Sequence, residues 1–222
     1  MTLQVYFDLM SQPSRAVWLF VKINKIPHTE CAIALRKGEH LTDEFAEVNP
    51  FQRVPAIDHD GFKLSESIAI LRYLKSQFPI ADHWYPEEPR KRARVDEYLA
   101  WQHLSLRFSG SMVFQKRIIG GKPMDDPSVE RFKGILDGSL DKIEQIFLSQ
   151  SPYINGFDEI TIADLLAVCE LEQPIAAGYD VKAGRPILAA YMERVKQRLM
   201  PEYEQAHQIA RKVGAMAKQG KL

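Results

Sequence analysis

The sequence predicts an α+β protein, in which a small domain with a mixed four-stranded sheet and helices precedes an all-helical domain. Two observations carry this fold class. In residues 1–78, short alternating apolar runs, typical of strands, are interleaved with apolar residues at helical spacing. After a proline-rich segment at 79–88, the helical period continues and no convincing strand pair appears. We therefore expect a first domain at 1–78, a linker at 79–88 and a helical domain at 89–222.

The first strand and helix are predicted from a change of period. Leu3, Val5 and Phe7 alternate with polar neighbours, and apolar residues then recur at helical spacing from Ala16 to Ile23. The stretch between them is polar, with Ser11 just before the helix and Pro13 in its first turn, where a missing N–H has no consequence.

The rest of the first domain follows the same logic. A second strand is predicted over residues 28–35, and a short helix that begins after Thr42 and ends near Asn49. Two short apolar runs, Val54–Ile57 and Phe62–Leu64, flank a turn at 59–61 and should pair antiparallel. A helix then begins at 65–67 and ends before Pro79.

The helical domain is predicted to begin with one long helix from about Glu88 to Ile118, followed by a second over 129–148. The second shows a single apolar stripe, made of Phe132, Ile135, Leu136, Leu140, Ile143, Ile146 and Phe147. Thr161 and Asp164 form a capping box that opens a third helix, which should end at Pro174. Pro186 and Pro201 open the last two helices.

Composition argues against several classes of function. Basic and acidic residues balance at 29 each, so neither nucleic acid nor an acidic membrane surface is expected as a partner. No apolar run approaches the ~20 residues of a membrane span, and Met1 leads almost directly into a strand. We expect a cytoplasmic protein. Two distant cysteines and six unpaired histidines predict neither a disulfide nor a metal site.

Ser11 is the first candidate functional residue. The N-terminus of a helix offers unpaired N–H groups and the positive end of the helix dipole, so an anion near Ser11 would be stabilised. The alternative is that Ser11 simply caps the helix, which is a common role for serine.

Several motifs, in their order and spacing, resemble those of the cytosolic glutathione transferases, and of the theta class in particular. They are Val54-Pro55-Ala56, Glu66-Ser67 followed by Ile68-Ala69-Ile70, the capping box at 161–164, the stretch 8–13, and the aromatic runs at 84–86 and 101–103. This resemblance implies a thioredoxin-like first domain, a role in detoxification and a homodimer whose contact is formed largely by the long helices after the linker. It implies no cofactor, because glutathione is a co-substrate. In the Val-Pro-Ala segment, the family has a cis proline.

The resemblance implies that Ser11 activates glutathione as the thiolate. The thiolate would attack a small hydrophobic electrophile, such as a halide, an epoxide or an activated alkene, or reduce an organic hydroperoxide. Tyr6 is the rival, because other classes use a tyrosine at the end of this strand, and Ser14 is a third hydroxyl nearby.

The family pattern also implies the residues that bind each substrate. His40 and Arg53 would lie near the glycyl carboxylate of glutathione, and the Val54 backbone would pair with its cysteinyl amide. Glu66 would accept from the γ-glutamyl amine, and Ser67 would donate to its carboxylate. In the helical domain, Arg107 and Phe108 are the candidates for the electrophile pocket, although Arg107 could equally form a surface ion pair.

Three further expectations complete the sequence-based interpretation. Theta members carry a longer C-terminal segment that covers the active site. Since this chain ends at Leu222, we expect its substrate pocket to be more open than theirs. A glutaredoxin-like oxidoreductase shares the first domain's architecture but needs a cysteine at the turn where Ser11 and Ser14 stand. The remaining alternative is a non-catalytic protein of the same fold that binds apolar ligands or other proteins.

Overall fold

The computed structural model describes residues 2–219, and in this range a four-stranded mixed sheet forms the centre of the first domain. The strands are β1 (Leu3–Phe7), β2 (Thr29–Ala32), β3 (Ala56–His59) and β4 (Phe62–Ser65). Their order is β2-β1-β3-β4, with β1 parallel to β2 and antiparallel to β3. β3 and β4 pair as the predicted hairpin, since His59 lies opposite Phe62 across the turn at Asp60 and Gly61.

Three helices complete the first domain: α1 (Gln12–Ile23), α2 (Asp43–Val48) and α3 (Ser67–Gln77). α1 is the most deeply buried of them, since every residue from Gln12 to Val21 is buried. It is covered by the sheet on one side and by the helical domain on the other, so its polar residues must find partners inside the protein.

Up to residue 219, the second domain has six α-helices: α4 (Pro89–Leu104), α5 (Leu106–Phe114), α6 (Pro127–Lys142), α7 (Ile162–Ala176), α8 (Pro186–Arg198) and α9 (Glu202–Lys218). α7 is central, because it packs against α1, α4, α5, α8 and α9. The capping box predicted at Thr161 and Asp164 is confirmed. The expected α+β fold with a thioredoxin-like first domain and a helical second domain is therefore confirmed.

The prediction of one long helix from about 88 to 118 was wrong. The backbone leaves the helical region at Ser105 (φ −107°, ψ −96°), which separates α4 from α5. The change of direction lets α5 run close to α7, where Gly110 lies against the carbonyl of Glu170 and the ring of Pro174. α5 ends in a π-helical turn over Gln115–Ile119.

Other predicted boundaries also shift. β2 ends at Ala32 rather than at Leu35, which instead starts a 3-10 turn over Leu35–Lys37. Pro174 does not end α7, because a proline near the last turn removes one hydrogen bond while the helix continues to Ala176.

The apolar stripe predicted for the second helix of this domain is only partly buried. α6 gives way to a π-helical turn over Ile143–Phe147, and this extra residue in the turn rotates the following side chains. Ile146, within this turn, is exposed, and so is Ile135, which precedes it on α6.

α9 packs across the ends of α1 and α7. Its closest approach is at Gly214, where a Cβ atom would lie 1.8 Å from the carbonyl oxygen of Ala176. Only glycine fits this contact, and it fixes how the neighbouring Val213 faces the first domain. Within residues 2–219, no helix combines the length and the apolar character needed to cross a membrane.

Candidate functional site

The turn between β1 and α1 is held by its own polar groups. One carboxylate oxygen of Asp8 accepts from the backbone N–H of Met10 at 2.8 Å, and the other accepts from Leu35 at 3.0 Å. The Ser11 N–H donates to the Asp8 carbonyl oxygen at 2.9 Å. Ser11 is thus presented at the N-terminus of α1 in a defined orientation.

Ser11 caps α1, and its hydroxyl hydrogen is still available. The Oγ atom accepts from the Ser14 N–H at 3.4 Å, which is a long hydrogen bond. A hydroxyl that accepts one hydrogen bond can still donate one. The helix-cap role and the anion-binding role considered from the sequence are therefore compatible in one residue.

The two rival hydroxyls point elsewhere. The Tyr6 hydroxyl donates to Gln4 Oε1 at 2.9 Å, its ring packs edge-on against Phe45, and partial burial raises the pKa of the phenol. Ser14 is fully buried, and among the described residues its Oγ has no hydrogen-bond partner. Neither residue lines the cleft next to Ser11.

That cleft has a volume of about 720 Å³ and lies between the two domains. The first domain contributes polar and cationic residues to it, namely Ser11, Gln12, Arg36, His40, Gln52 and Arg53. The helical domain contributes an apolar patch made of Phe114, Ile118, Ile119 and Val213, beside polar residues that include Arg107 and Gln173. The cleft can therefore accept a polar, anionic molecule on one side and an apolar molecule on the other.

Three of the predicted glutathione-binding residues line this cleft: His40, Arg53 and Val54. The peptide bond between Val54 and Pro55 is cis, as the family pattern implied. Arg53 is exposed, and its carbonyl oxygen accepts from the Asn49 side chain at 2.6 Å, which fixes the backbone on which it lies.

Glu66 and Ser67 lie outside the lining of the cleft, at the start of α3. The register of the hairpin pairs Ala56 with Ser65, so Glu66 continues alongside the Val54–Pro55 bond. Glu66 is exposed and has a positive φ of 67°, which is uncommon for a residue with a side chain. Such backbone strain is frequent at ligand-binding positions. Ser67 is buried as the first residue of α3.

The two electrophile-pocket candidates differ. Arg107 lines the cleft, and its Nε atom lies 3.8 Å from a carboxylate oxygen of Glu170. The partner of Arg107 is therefore not a surface residue, because Glu170 is fully buried. Burial raises the pKa of Glu170 to about 7. Phe108 is turned away from the cleft: it is 45% exposed and packs edge-on against Phe132.

Sequence patterns did not indicate the polar residues that support the turn from within the protein. The Arg15 guanidinium is fully buried, and one of its nitrogens donates to the Leu9 carbonyl oxygen at 3.0 Å. Gln173 of α7 donates to the Met10 carbonyl oxygen at 3.3 Å, and Gln12 donates to Ser111 of α5 at 2.7 Å. Such contacts join residues about 100 or more positions apart, and no periodic signal reports them.

The arrangement can hold an anionic atom at the start of α1 with a hydroxyl donor, next to an apolar volume. In residues 2–219, no three potential metal ligands among His, Cys, Asp and Glu come together.

Comparison with known proteins identifies close relatives over nearly the whole chain. A family model described as the glutathione S-transferase N-terminal domain matches residues 1–76. Mouse glutathione S-transferase theta-1 is 42% identical over 218 residues, which cover 96% of this chain and 90% of the relative. The apo structure of human glutathione S-transferase T1-1 superposes with a TM-score of 0.92 at 39% identity, covering 98% of this chain and 95% of that one.

A second solved structure contains a ligand. Human glutathione transferase theta-2, in complex with glutathione and an unknown ligand, superposes with a TM-score of 0.93 at 38% identity, covering 99% of this chain and 92% of that one.

Proposed function

Because the chain belongs to the glutathione S-transferase family and to its theta class, we propose that it joins glutathione to small electrophiles, with Ser11 donating a hydrogen bond to the bound thiolate. Membership in this family supports conjugation of glutathione in general. Human glutathione transferase theta-2, whose structure contains glutathione, superposes on this chain. The residues, the electrophiles and a hydroperoxide-reducing activity are our proposals.

The position of Ser11 is the observation that carries the proposal. Its hydroxyl hydrogen is available, it lies at the positive end of α1, and it lines the cleft. A hydrogen bond to a charged group contributes about 1.5–3 kcal/mol, which corresponds to roughly one to two pKa units of the thiol. Since a free thiol with a pKa of ~8.5 is only a few per cent ionised at neutral pH, such a shift would increase the thiolate fraction about tenfold.

The remainder of glutathione would extend along the first domain. His40 and Arg53 supply donors for the glycyl carboxylate, and the backbone of Val54 would pair with the cysteinyl amide as an added strand does. At the start of α3, Glu66 would accept from the γ-glutamyl amine and Ser67 would donate to the adjacent carboxylate.

The electrophile would occupy the apolar side of the cleft. Arg107 is the cation that faces it, and Phe114, Ile118 and Val213 supply apolar contacts. Because Phe108 packs against Phe132 outside the cleft, we propose Phe114 rather than Phe108 as the aromatic contact. No cofactor is required, because the nucleophile is the sulfur of glutathione itself and binding places it next to the electrophile.

The test is the ultraviolet thiolate absorbance of glutathione bound to the purified protein, followed against pH. We expect the wild type to lower the thiol pKa well below that of free glutathione, and Ser11→Ala to restore it. Tyr6→Phe is the matched control, since it also removes one hydroxyl near the end of β1 but outside the cleft. It should leave the titration unchanged.

Two results would contradict the proposal. If the bound thiol titrates as in water in the wild type, the site binds glutathione without activating it. If Tyr6→Phe rather than Ser11→Ala abolishes the shift, the donor is the tyrosine. A panel of halides, epoxides, activated alkenes and cumene hydroperoxide would then define the substrates, and failure with all of them despite tight glutathione binding would favour a binding protein.

A further inference from the structure

The carbonyl groups of the turn that carries Ser11 face the helical domain. Leu9 and Met10 precede Ser11, and their carbonyl oxygens accept from Arg15 Nη1 at 3.0 and 3.4 Å. The Met10 oxygen also accepts from Gln173 Nε2 at 3.3 Å. In the described part of the chain, these side chains supply the hydrogen bonds that the two carbonyl oxygens receive.

Arg15 and Gln173 also hold each other. Arg15 Nη2 donates to Gln173 Oε1 at 2.6 Å and to the Cys169 carbonyl oxygen at 2.9 Å. Arg15 is 0% exposed and Gln173 is 3% exposed, so water cannot replace these bonds without entering the interface. The Gln173 amide therefore uses both of its ends: its oxygen accepts from Arg15, and its nitrogen donates to the Met10 carbonyl oxygen of the turn.

This arrangement makes the position of the turn depend on α7. Asp8 and the cap of α1 hold the turn from within the first domain, but Gln173, which bonds the Met10 carbonyl oxygen, lies 163 positions further along the chain. A hydrogen bond from Ser11 to a sulfur atom weakens steeply with displacement and misalignment, so a small relaxation of the turn would reduce it.

From these contacts we infer that Arg15 and Gln173 are positioning residues for Ser11, through which the helical domain sets the orientation of its hydroxyl toward the sulfur of glutathione. This inference rests on the function proposed above. It assigns to neither residue a contact with the sulfur.

The test uses Gln173→Met, which keeps a side chain of similar length but has no amide. We expect the pKa of the bound glutathione thiol to rise by about one unit. At a pH below that pKa, the thiolate fraction would then be about tenfold smaller. The glutathione dissociation constant should stay within about twofold, because the proposed peptide-binding positions at 53, 54, 66 and 67 lie in the first domain and the hydrogen bonds of Gln173 go to Arg15 and Met10 instead. A structural defect spread over the whole site would change both quantities.

Glu172→Gln is the matched control. Glu172 is the preceding residue on α7 and is also buried, but it accepts from Tyr203 and Arg211 of α9 rather than from the turn. This variant should leave the pKa of the bound thiol unchanged. If Gln173→Met does not fold, Gln173→Asn keeps the amide but is one carbon too short to reach the Met10 oxygen, and it should raise the same pKa.

A second readout does not depend on activity. In the ligand-free protein, hydrogen exchange in peptides that cover residues 8–14 should be faster in Gln173→Met and unchanged in Glu172→Gln. Unchanged exchange in Gln173→Met, or an unchanged thiol pKa where the wild type lowers it, would overturn the inference. If the wild type itself does not lower the thiol pKa, the proposed function fails, while faster exchange at 8–14 would still show that α7 holds the turn.

Discussion

Glu170 has a fully buried carboxylate whose two oxygens have no hydrogen-bond partner among the described residues. The charged groups that face it are Arg107 on α5, with Nε at 3.8 Å, and Arg15 on α1, and the Tyr98 hydroxyl lies near it on α4. Burial outweighs the two arginines and raises the pKa of Glu170 to about 7. The protonated form is therefore favoured in the folded protein up to near-neutral pH.

This raised pKa predicts that stability falls as the pH rises. In the unfolded chain the carboxyl would titrate near 4.5, so between about pH 4.5 and 7 the folded state holds a proton that the unfolded state has lost. The contribution to the free energy of unfolding is fully present below pH 4.5 and is lost by about pH 7. The loss is on the order of 3 kcal/mol, since each pKa unit corresponds to about 1.4 kcal/mol. We expect Glu170→Gln to match the wild type in urea unfolding at pH 5 and to be more stable than it at pH 8.

Glu172→Gln supplies the comparison, because the same change two residues away should act in the opposite direction. Burial tends to raise the pKa of Glu172, but hydrogen bonds from Arg211 and Tyr203 prevail and leave its pKa below the usual value. Its ionised form therefore stabilises the fold at pH 8, and the glutamine variant should lose stability there. A loss of stability in Glu170→Gln at pH 8 would contradict the assignment of Glu170 as a mostly uncompensated buried charge.

At the scale of elements, the start of α7 is fixed by Asp164. Its carboxylate accepts from the backbone N–H groups of Ile154 and Thr161 at 3.0 and 2.8 Å, and from the Tyr191 hydroxyl at 3.0 Å. We expect Asp164→Ala to lower the free energy of unfolding by about 3 kcal/mol or more, because several buried donors lose their acceptor at once. Chemical denaturation measures this.

Asp126→Ala is a suitable control for that prediction. Asp126 is half-buried and caps α6 by accepting from Ser128 two residues away, so its loss should lower stability by only about 1 kcal/mol. Equal losses in the two variants would show that Asp164 acts as an ordinary cap and not as a link between α7, α8 and the loop before α7.

The elements that sequence patterns predicted are those whose cause is local. The cap at Thr161 and Asp164, the hairpin turn at Gly61 and the first turn of α1 at Pro13 each depend on residues a few positions apart. The break at Ser105 depends on how closely α5 must approach α7, which is a tertiary requirement.

The same distinction applies to the candidate site. Ser11, His40, Arg53 and Val54 were indicated by motifs within the first domain, and all of them line the cleft. Arg15 resembles any basic residue in a helix, and its role appears only when α7 supplies Gln173 and the Cys169 carbonyl. Phe108 comes two residues into α5 after the break at Ser105, and there its ring packs against Phe132 outside the lining of the cleft, a placement that depends on how α5 meets α6.

At the scale of the whole molecule, several large apolar side chains remain exposed. Leu104 at the end of α4 is 79% exposed and Phe51 before β3 is 69% exposed, and Phe62 on the edge strand β4 is half exposed. Exposed apolar surface of this kind is typical of protein interfaces. We expect a homodimer with a sedimentation mass near twice 25.4 kDa, whose contact is formed largely by the long helical segments after the linker, α4 with α5 and α6.

The variant Leu104→Glu tests that contact, since a charge buried in a dimer interface would weaken it. It should shift the protein toward the monomer in sedimentation velocity while the far-ultraviolet circular dichroism is retained. Ile187→Glu, a change at an exposed isoleucine on α8, is the control and should leave the mass unchanged. A wild-type protein that sediments as a monomer at micromolar concentration would refute the dimer.

The contact between Gly214 and the Ala176 carbonyl also gives the molecule a place where its substrate range could change without any change in its chemistry. Even a methyl group at 214 would force α9 away from α7 by an ångström or more, and Val213 would move with it. The cleft would widen on the side where we propose that the electrophile binds, while Ser11 and the proposed glutathione-binding residues, none of which lies on α9, would keep their positions. Substitution of Gly214 alone is therefore a way to select for activity toward bulkier electrophiles. It would weaken the packing between α7 and α9.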